Sequence, residues 1–133
     1  MSATVKVNYK GDLYCNVKYL PSGYEIETDV QNEKFFSPTD LFAASLGACI
    51  VSSIGFAAKD RLPIKEEDIS CEVEKEMADN PKRIGKMKIV ITIANSEELS
   101  DKDKEIIKKS SESCPIKNSI SEKIDVQSEI VYK

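Results

Sequence analysis

Apolar and polar residues alternate along the N-terminal part of the chain, which is the period of a β-strand with one buried face. The first run covers 4–10, the second begins at Leu13 and the third begins at Tyr24. Turn-forming residues separate these runs, with Gly11-Asp12 between the first two and Pro21-Ser22-Gly23 between the last two. The pattern therefore predicts an antiparallel three-stranded sheet at the N-terminus.

The segment from Ser37 to about Lys59 carries apolar residues on nearly every side of a helix. A start signal precedes it, with Ser37 as N-cap, Pro38 at the first helical position and Asp40 at the third. Such a helix must be buried all round, and a chain of 133 residues has little surface with which to cover it. The pattern predicts a long buried central helix that needs a partner subunit.

After this helix the spacing of apolar residues returns to the period of strands, changes again to that of helices, and indicates one more strand at the end. In order, we predict two strands joined by a turn, a polar helix, a short helix and a closing strand. Their characteristic residues lie at 69–77, 87–93, 100–107, 114–120 and 124–130. Together with the N-terminal strands, this order predicts an α+β fold in a single domain that spans residues 1–133.

The distribution of charge argues against a nucleic-acid partner. The formal net charge is −4, and basic pairs such as Lys82-Arg83 and Lys108-Lys109 lie near acidic residues rather than in a basic stripe. The N-terminus enters strand-like alternation without an apolar signal-peptide region, and no later segment reaches membrane-spanning length without polar interruption. We therefore expect a cytoplasmic protein with no membrane contact.

Four cysteines and the absence of histidine restrict the chemistry that this chain can perform. Cytoplasmic cysteines are mostly reduced, and Cys15, Cys49, Cys71 and Cys114 lie far apart without a C-x-x-C motif. We expect no metal site and no cofactor. Because Ser-His and Cys-His pairs are excluded, any chemistry must rest on thiols, carboxylates or lysines.

Cys114 precedes a proline, which would make it the N-cap of a helix. A helix N-terminus stabilises a thiolate, so this position gives Cys114 a physical reason to be reactive. The alternative is that Cys114 is a small buried apolar residue, which is the more common role of a free cysteine. The residues alone favour this second interpretation.

Cys49 lies mid-way along the apolar helix, where desolvation favours a protonated thiol. Three serines, Ser45, Ser52 and Ser53, share its helical face. These serines could line a cavity or hydrogen-bond the sulfur, or they could be small packing residues at a helix crossing. The pattern leaves both interpretations open.

The other candidate residues have structural explanations. Cys15 and Cys71 fall on the apolar faces of their predicted strands, so we interpret both as core residues. Asp40 is the acidic third residue of a helix start, and a catalytic role for it needs support from beyond that pattern.

Two motifs resemble the OsmC/Ohr family of osmotically inducible protein C and organic hydroperoxide resistance proteins. Residues 37–49, Ser-Pro-Thr-Asp-Leu-Phe-Ala-Ala-Ser-Leu-Gly-Ala-Cys, resemble the start of the family's central helix, which carries its first cysteine. Residues 114–120, Cys-Pro-Ile-Lys-Asn-Ser-Ile, resemble the second signature, a Cys-Pro run before a short helix. The spacing of 65 residues (114 − 49) and the order of elements also agree, so the resemblance covers essentially the whole chain.

This resemblance implies both a fold and a chemistry. The fold is an OsmC-like α+β fold in which two chains intertwine as a homodimer and bury their central helices between wrapped sheets. The chemistry is thiol peroxidase catalysis on organic hydroperoxides, in which Cys49 becomes a sulfenic acid that Cys114 condenses into a disulfide. A dithiol reductant of the lipoyl type would then reduce the disulfide.

The sequence departs from the peroxidase members of that family near the first cysteine. Those members place an arginine from the N-terminal sheet beside the cysteine, whereas no arginine precedes Arg61 in this chain. Tyr14 stands where some relatives have arginine. Lys10 or Lys18 could supply a positive charge, although not the planar guanidinium group. A second function therefore stays open, that of a binding or stress protein on the same fold without peroxidase activity.

The carboxylate of the family site also has a different position. The glutamate of the organic hydroperoxide branch corresponds to Thr39, and Asp40 follows one residue later. At about 100° per residue Asp40 lies half a turn away from Cys49, so it would serve the site of the partner chain. The resemblance makes Cys49 the attacking thiol, whereas the helix start favours Cys114 as the thiol with the lower pKa.

Overall fold

The structure is a computed structural model that describes residues 2–133, and they form two compact units that divide after Phe42. The first unit contains an antiparallel sheet of three strands in the order β1-β2-β3. The strands are β1 (Val5–Gly11), β2 (Tyr14–Tyr19) and β3 (Tyr24–Asp29). This confirms the predicted N-terminal sheet.

Cross-strand pairing in this sheet gathers the apolar residues on one face. Val7 lies opposite Val17, which in turn lies opposite Ile26, so the three predicted runs are in register. Leu13 differs from the prediction, because it adopts a positive φ of 66° in the turn and does not belong to β2. Much of the apolar face is exposed in the single chain, as the exposed fractions of Val7 (57%) and Tyr9 (66%) show.

The central helix α1 (Pro38–Ala58) begins where the sequence predicts. The backbone N–H of Asp40 donates to Ser37 Oγ at 3.1 Å, and the backbone N–H of Ser37 donates to Asp40 Oδ2 at 3.0 Å. These two bonds form a reciprocal cap, which satisfies two donors at the start of the helix.

The second unit contains a sheet of three strands in the order β4-β5-β6, where β6 runs parallel to β5. The elements of this unit after α1 are β4 (Ile69–Ala78), β5 (Arg83–Ile93), α2 (Asp101–Glu112), α3 (Pro115–Ser119) and β6 (Asp125–Tyr132). A short 3-10 turn at Glu66–Asp68 was not predicted. The remaining order of elements matches the prediction and confirms the α+β fold class.

The core of the second unit lies between one side of α1 and the sheet. Leu46, Ile50 and Ile54 of α1 are buried there, and Ile107 of α2 joins them. The other contributors come mainly from β5, namely Met87, Ile89, Ile91 and Ile93. Only one side of α1 is buried in the single chain, whereas the sequence predicts burial all round.

The length and composition of α1 also correct an expectation from the sequence. With 21 residues and a mean hydropathy of 1.9, α1 is long and apolar enough to cross a membrane. The serines of α1 do not act as polar interruptions, because isolated serines lower the mean hydropathy too little. About a third of its most apolar window (33%) is buried. The core helix of a soluble protein can be equally long and apolar, so these two properties alone are weak evidence for a membrane span.

Candidate functional site

Two of the four cysteines lie next to each other in the second unit. Cys49 is half-buried in the middle of α1, and Cys114 is fully buried at the start of α3. The thiol of Cys49 lies close enough to the thiol of Cys114 to raise its pKa. Two sulfur atoms 65 residues apart (114 − 49) therefore meet in the fold, and neither takes part in a disulfide.

Cys114 is held at this position by the start of a helix. Pro115 occupies the first turn of α3, and Cys114 is the N-cap whose Sγ accepts a hydrogen bond from the backbone N–H of Lys117 at 3.5 Å. The proline fixes φ in the helical range and lacks the N–H that would otherwise need a partner. The sequence predicts this local structure correctly.

The pKa of Cys114 shifts in the direction opposite to the one that its place at a helix start predicts. Burial raises the pKa of the Cys114 thiol, and the hydrogen bond with Cys49 raises it further. The backbone N–H groups of Lys117 and Ile116 act in the opposite direction but have smaller effects on this pKa. Because α3 has only five residues, its N-terminus does not outweigh the loss of solvent around the sulfur. The raised pKa therefore favours the protonated form of Cys114.

An open cleft of about 560 Å³ lies beside Cys49. Its walls come from α1, from the end of α2 and from the segment that leads into α3. The lining residues are Cys49, Ser52, Ser53, Phe56, Ala57, Lys109, Ser110, Ser113 and Pro115. Cys114 does not line this cleft, so a molecule that enters it meets Cys49.

Of the three serines that share the helical face of Cys49, two line the cleft, as one of the two sequence interpretations proposed, and Ser45 does not. Ser52 and Ser53 are both part of the wall. Ser53 Oγ donates to the backbone carbonyl oxygen of Cys49 at 2.9 Å, so its proton is directed at the main chain and not at the sulfur.

The other two cysteines occupy packing positions. Cys71 of β4 is half-buried against the core, and its Sγ contacts the carbonyl oxygen of Gly47 at 3.6 Å. Burial raises the pKa of the Cys71 thiol. Cys15 is half-buried in the N-terminal sheet, opposite Tyr9 and Thr28.

The charged residues that the sequence singled out have partners of their own. Asp40 accepts the hydrogen bond that caps α1, so its catalytic role stays a prediction. Lys10 forms an ion pair with Glu27 at 2.9 Å within the N-terminal sheet. Arg83 donates to the backbone carbonyl oxygens of the turn at 79–81. In the part of the chain that the structure describes, no arginine lines the cleft and no three potential ligands from His, Cys, Asp and Glu cluster as a metal site.

Sequence reasoning missed the residues that form the cleft opposite Cys49. Lys109, Ser110 and Ser113 lie near the end of α2, a helix whose sequence pattern indicates a solvent-exposed surface. The only available signal was that α2 ends directly before Cys114, so its last turn had to lie near that thiol.

Comparison with known proteins identifies the family. The profile of the OsmC-like protein family matches residues 31–129, which include both Cys49 and Cys114. The chain belongs to this family. No curated protein matches the chain.

Solved structures have the same fold over essentially the whole chain. A Psychrobacter arcticus 273-4 protein described as an osmotic stress induced and detoxification response protein has 34% sequence identity and a TM-score of 0.84, covering 100% of this chain and 97% of its own. An OsmC-like protein of Mycoplasma pneumoniae has 16% identity and a TM-score of 0.84, covering 99% and 97%. An organic hydroperoxide resistance protein of Bacillus subtilis has 20% identity and a TM-score of 0.64, covering 98% of each chain.

Proposed function

We propose that this protein is a thiol peroxidase that reduces organic hydroperoxides, with Cys49 as the attacking residue and Cys114 as the resolving residue. The observation that carries the proposal is the contact between these two thiols, one of which lines an open cleft while the other lies behind it. Membership of the OsmC-like family supports it, as do structural neighbours named organic hydroperoxide resistance proteins.

The raised pKa of Cys114 supports this assignment of roles. A thiolate is the nucleophile in reactions of cysteine, and burial, which raises the pKa of Cys114, disfavours a thiolate there. Cys49 is the thiol that a ligand in the cleft can reach. These two features support Cys49 as the attacking sulfur and Cys114 as the sulfur of the later step.

The proposed reaction has three steps. The Cys49 thiolate attacks the distal oxygen of the hydroperoxide, the O–O bond breaks, and the alkoxide leaves and takes a proton as an alcohol, so that Cys49 becomes a sulfenic acid. The Cys114 sulfur then attacks the Cys49 sulfur, which forms the disulfide and releases water. A dithiol finally reduces this disulfide by exchange and becomes a cyclic disulfide itself, which restores both thiols.

The test of this function follows both half-reactions with a dithiol reductant. We expect the parent protein to consume an alkyl hydroperoxide through many turnovers. Cys114→Ser should complete the first oxidation and accumulate a Cys49 sulfenic acid, which a dimedone adduct reports by mass spectrometry. No consumption by the parent protein, or a dimedone adduct at a different cysteine, would contradict the proposal.

We also propose that two copies of the chain form a homodimer. In the single chain the exposed fraction of Phe56 on α1 is 86%, and Val5, Val7 and Tyr9 of β1 are each more than half exposed. Apolar surface of this size on a small protein usually has a partner. Sedimentation equilibrium should give the mass of a dimer for the parent protein and a smaller mass for Phe56→Asp, and a monomeric parent protein would refute this part.

One observation favours a second function, a binding protein without peroxidase activity. The sequence has no arginine before Arg61, and Lys10, one of the two lysines that could supply a positive charge instead, is paired with Glu27. In that case alkylation of Cys49 at neutral pH should be as slow as that of a buried thiol such as Cys71. Rapid, selective alkylation of Cys49 would favour the peroxidase instead.

A further inference from the structure

The two sulfur atoms of the proposed redox pair differ in how easily a molecule from solution reaches them. The exposed fraction of Cys114 is 0%, and this residue belongs to the hydrophobic core of the second unit. Cys49 packs against that core from α1 but is only half-buried. A second subunit that docks onto the chain covers surface and exposes none, so Cys114 stays buried in the proposed homodimer as well.

The surroundings of Cys114 hold its sulfur on the inside of the fold. Its Sγ accepts a hydrogen bond from the backbone N–H of Lys117 at 3.5 Å, and its carbonyl oxygen accepts one from the backbone N–H of Asn118 at 3.1 Å. Both bonds belong to the start of α3, where Pro115 is the first residue. An external thiol can therefore contact this sulfur only after the start of α3 has opened.

Cys49 has a route from solution in the proposed function itself. A hydroperoxide must reach Cys49 Sγ in the assembled protein, and a small dithiol that follows the same route meets the same sulfur once the disulfide has formed. Thiol–disulfide exchange begins with contact between the attacking thiolate and one of the two bonded sulfur atoms, so access helps to decide which of them is attacked. The two sulfur atoms of a Cys49–Cys114 disulfide are therefore not equivalent toward a reductant.

We infer that the reductant attacks the disulfide at Cys49, where it forms a mixed disulfide, and that Cys114 is the leaving group. This inference rests on the proposed function, because that function supplies both the disulfide and the route to it. It adds the order of events in the reductive half of the cycle. It also assigns Cys114 the role of an internal thiol, which bonds to Cys49 and not to an external sulfur.

Electrons and protons balance in two exchanges. A thiolate of the dithiol attacks Cys49 Sγ, a new S–S bond joins the two sulfur atoms, and the Cys49–Cys114 bond breaks with its electron pair on Cys114 Sγ. The second thiol of the dithiol then attacks the first sulfur of the same molecule, the mixed disulfide breaks, and Cys49 leaves as a thiolate. The dithiol loses two electrons and becomes a cyclic disulfide, and its remaining proton ends on Cys114.

Two opposing effects act on the departure of Cys114. Burial raises the pKa of this thiol, and a thiol of higher pKa is a slower leaving group. The backbone N–H of Lys117 donates to the same sulfur and stabilises the negative charge that develops there. Access outweighs both effects, because a poor leaving group only slows the exchange at Cys49, whereas attack at Cys114 requires the fold to open first.

The experiment maps the sulfur that a monothiol attacks. Diamide, which oxidises neighbouring thiols without any peroxidase activity, converts the reduced protein to the Cys49–Cys114 disulfide. Then 2-mercaptoethanol is added for short times, the exchange is stopped with acid, and free thiols are alkylated before digestion without reductant. We expect the adduct on Cys49 to exceed that on Cys114 by about tenfold or more, because exchange depends on access to the attacked sulfur. Comparable adducts on both, an excess on Cys114, or no adduct on either would overturn the inference.

Two single substitutions, each the matched control of the other, allow the same comparison without the intramolecular disulfide. Cys114→Ser and Cys49→Ser each receive a methylthio group on the remaining member of the pair, by reaction with methyl methanethiosulfonate in denaturant followed by refolding. Dithiothreitol should release this group from Cys49 about tenfold or more faster than from Cys114 in the folded proteins, and at similar rates in guanidinium chloride. Equal rates in the folded proteins, or a difference that persists in guanidinium chloride, would show that burial does not direct the attack.

The use of diamide separates this inference from the proposed function. If the adduct lies on Cys49 while the protein consumes no hydroperoxide, the peroxidase proposal fails and the inference about the direction of attack stands. If hydroperoxide is consumed while the adduct lies on Cys114, the peroxidase proposal stands and the inference fails. If diamide forms no Cys49–Cys114 disulfide, both fail, since the two sulfur atoms then do not act as a pair.

Discussion

The two sides of α1 have different surroundings although their sequences are similarly apolar. On one side Leu46, Ile50 and Ile54 are buried against the sheet of the second unit. On the other side Cys49 and Phe56 line an open cleft, and the exposed fraction of Phe56 is 86%. In the single chain one helix therefore has a packed side and an open side, and the proposed function assigns chemistry only to the open side, so that substitutions on the two sides should have separable effects.

The largest expected effect is on activity and comes from the open side. Cys49→Ser should reduce hydroperoxide consumption to that of the reductant alone, because an alcohol at this position does not form the sulfenic acid and then the disulfide. Cys71→Ala is the matched control, since Cys71 packs near α1 on its buried side and does not line the cleft. A coupled assay of hydroperoxide loss measures both, and retained turnover in Cys49→Ser would contradict the division of roles.

The next effect is on stability and comes from the buried side. Leu46→Ala should lower the free energy of unfolding by about 2–5 kcal/mol, because a fully buried side chain leaves a cavity. Ser52→Ala on the open side should change it by no more than about 0.5 kcal/mol. Urea denaturation of both variants provides the comparison, and similar losses for the two would show that the sides are not distinct.

Two glycines of α1 allow the same comparison of stability, with a smaller expected effect. Alanine favours a helix over glycine by about 1 kcal/mol, so Gly55→Ala should stabilise the protein, since a Cβ atom at position 55 has no neighbour within 4 Å in the chain. At Gly47 a Cβ atom would lie 3.0 Å from Val73 Cγ2 and 3.1 Å from Cys71 Sγ. We expect this contact to cancel or reverse the gain. The free energy of unfolding of Gly47→Ala should therefore be lower than that of Gly55→Ala by about 1–2 kcal/mol. Equal stabilisation by both substitutions in thermal melts would refute close packing on the buried side.

The smallest expected effect is on the pH dependence of stability. Burial raises the pKa of both Cys71, which packs near the buried side of α1, and Cys114, which lies behind Cys49, above the ordinary thiol value of 9.0. The stabilising contribution of a protonated buried thiol is fully present below that value and is lost as the pH rises through the raised pKa of the folded state. The free energy of unfolding should therefore fall above pH 9.0 in the parent protein.

Replacement of both thiols isolates their contribution to this loss. A Cys71→Ala, Cys114→Ala variant should have a flatter profile of stability against pH, while Tyr132, whose pKa is also raised by burial, stays in both proteins. Parallel profiles from denaturation at a series of pH values would show that the two thiols do not titrate differently in the folded state.

The order of elements could be predicted from the sequence, because strand alternation and helix-start residues act locally. Ser37 and Asp40 cap α1, and Pro115 starts α3, as their residue types indicate. The division of α1 into two sides could not be predicted, since a helix that is apolar all round has no pattern from which to tell them apart. The contact between Cys49 and Cys114 was an implication of the family resemblance and not of their spacing.

Lys109 illustrates a different limit of sequence reasoning. Its place in an exposed, lysine-rich helix is the same as that of Lys108, and only the packing of α2 beside Cys49 separates them. The low pKa that the helix start suggested for Cys114 was wrong in direction, because the sequence does not reveal how deeply that sulfur is buried.

The central claim is that the two sulfur atoms at α1 and α3 form one redox unit, and peptide mass spectrometry after oxidation tests it most directly. One equivalent of alkyl hydroperoxide is added to the reduced protein, which is then alkylated and digested without reductant. We predict a peptide pair joined by a Cys49–Cys114 disulfide, with Cys15 and Cys71 alkylated. Free thiols at both Cys49 and Cys114, or a disulfide that involves Cys15 or Cys71 instead, would contradict the account.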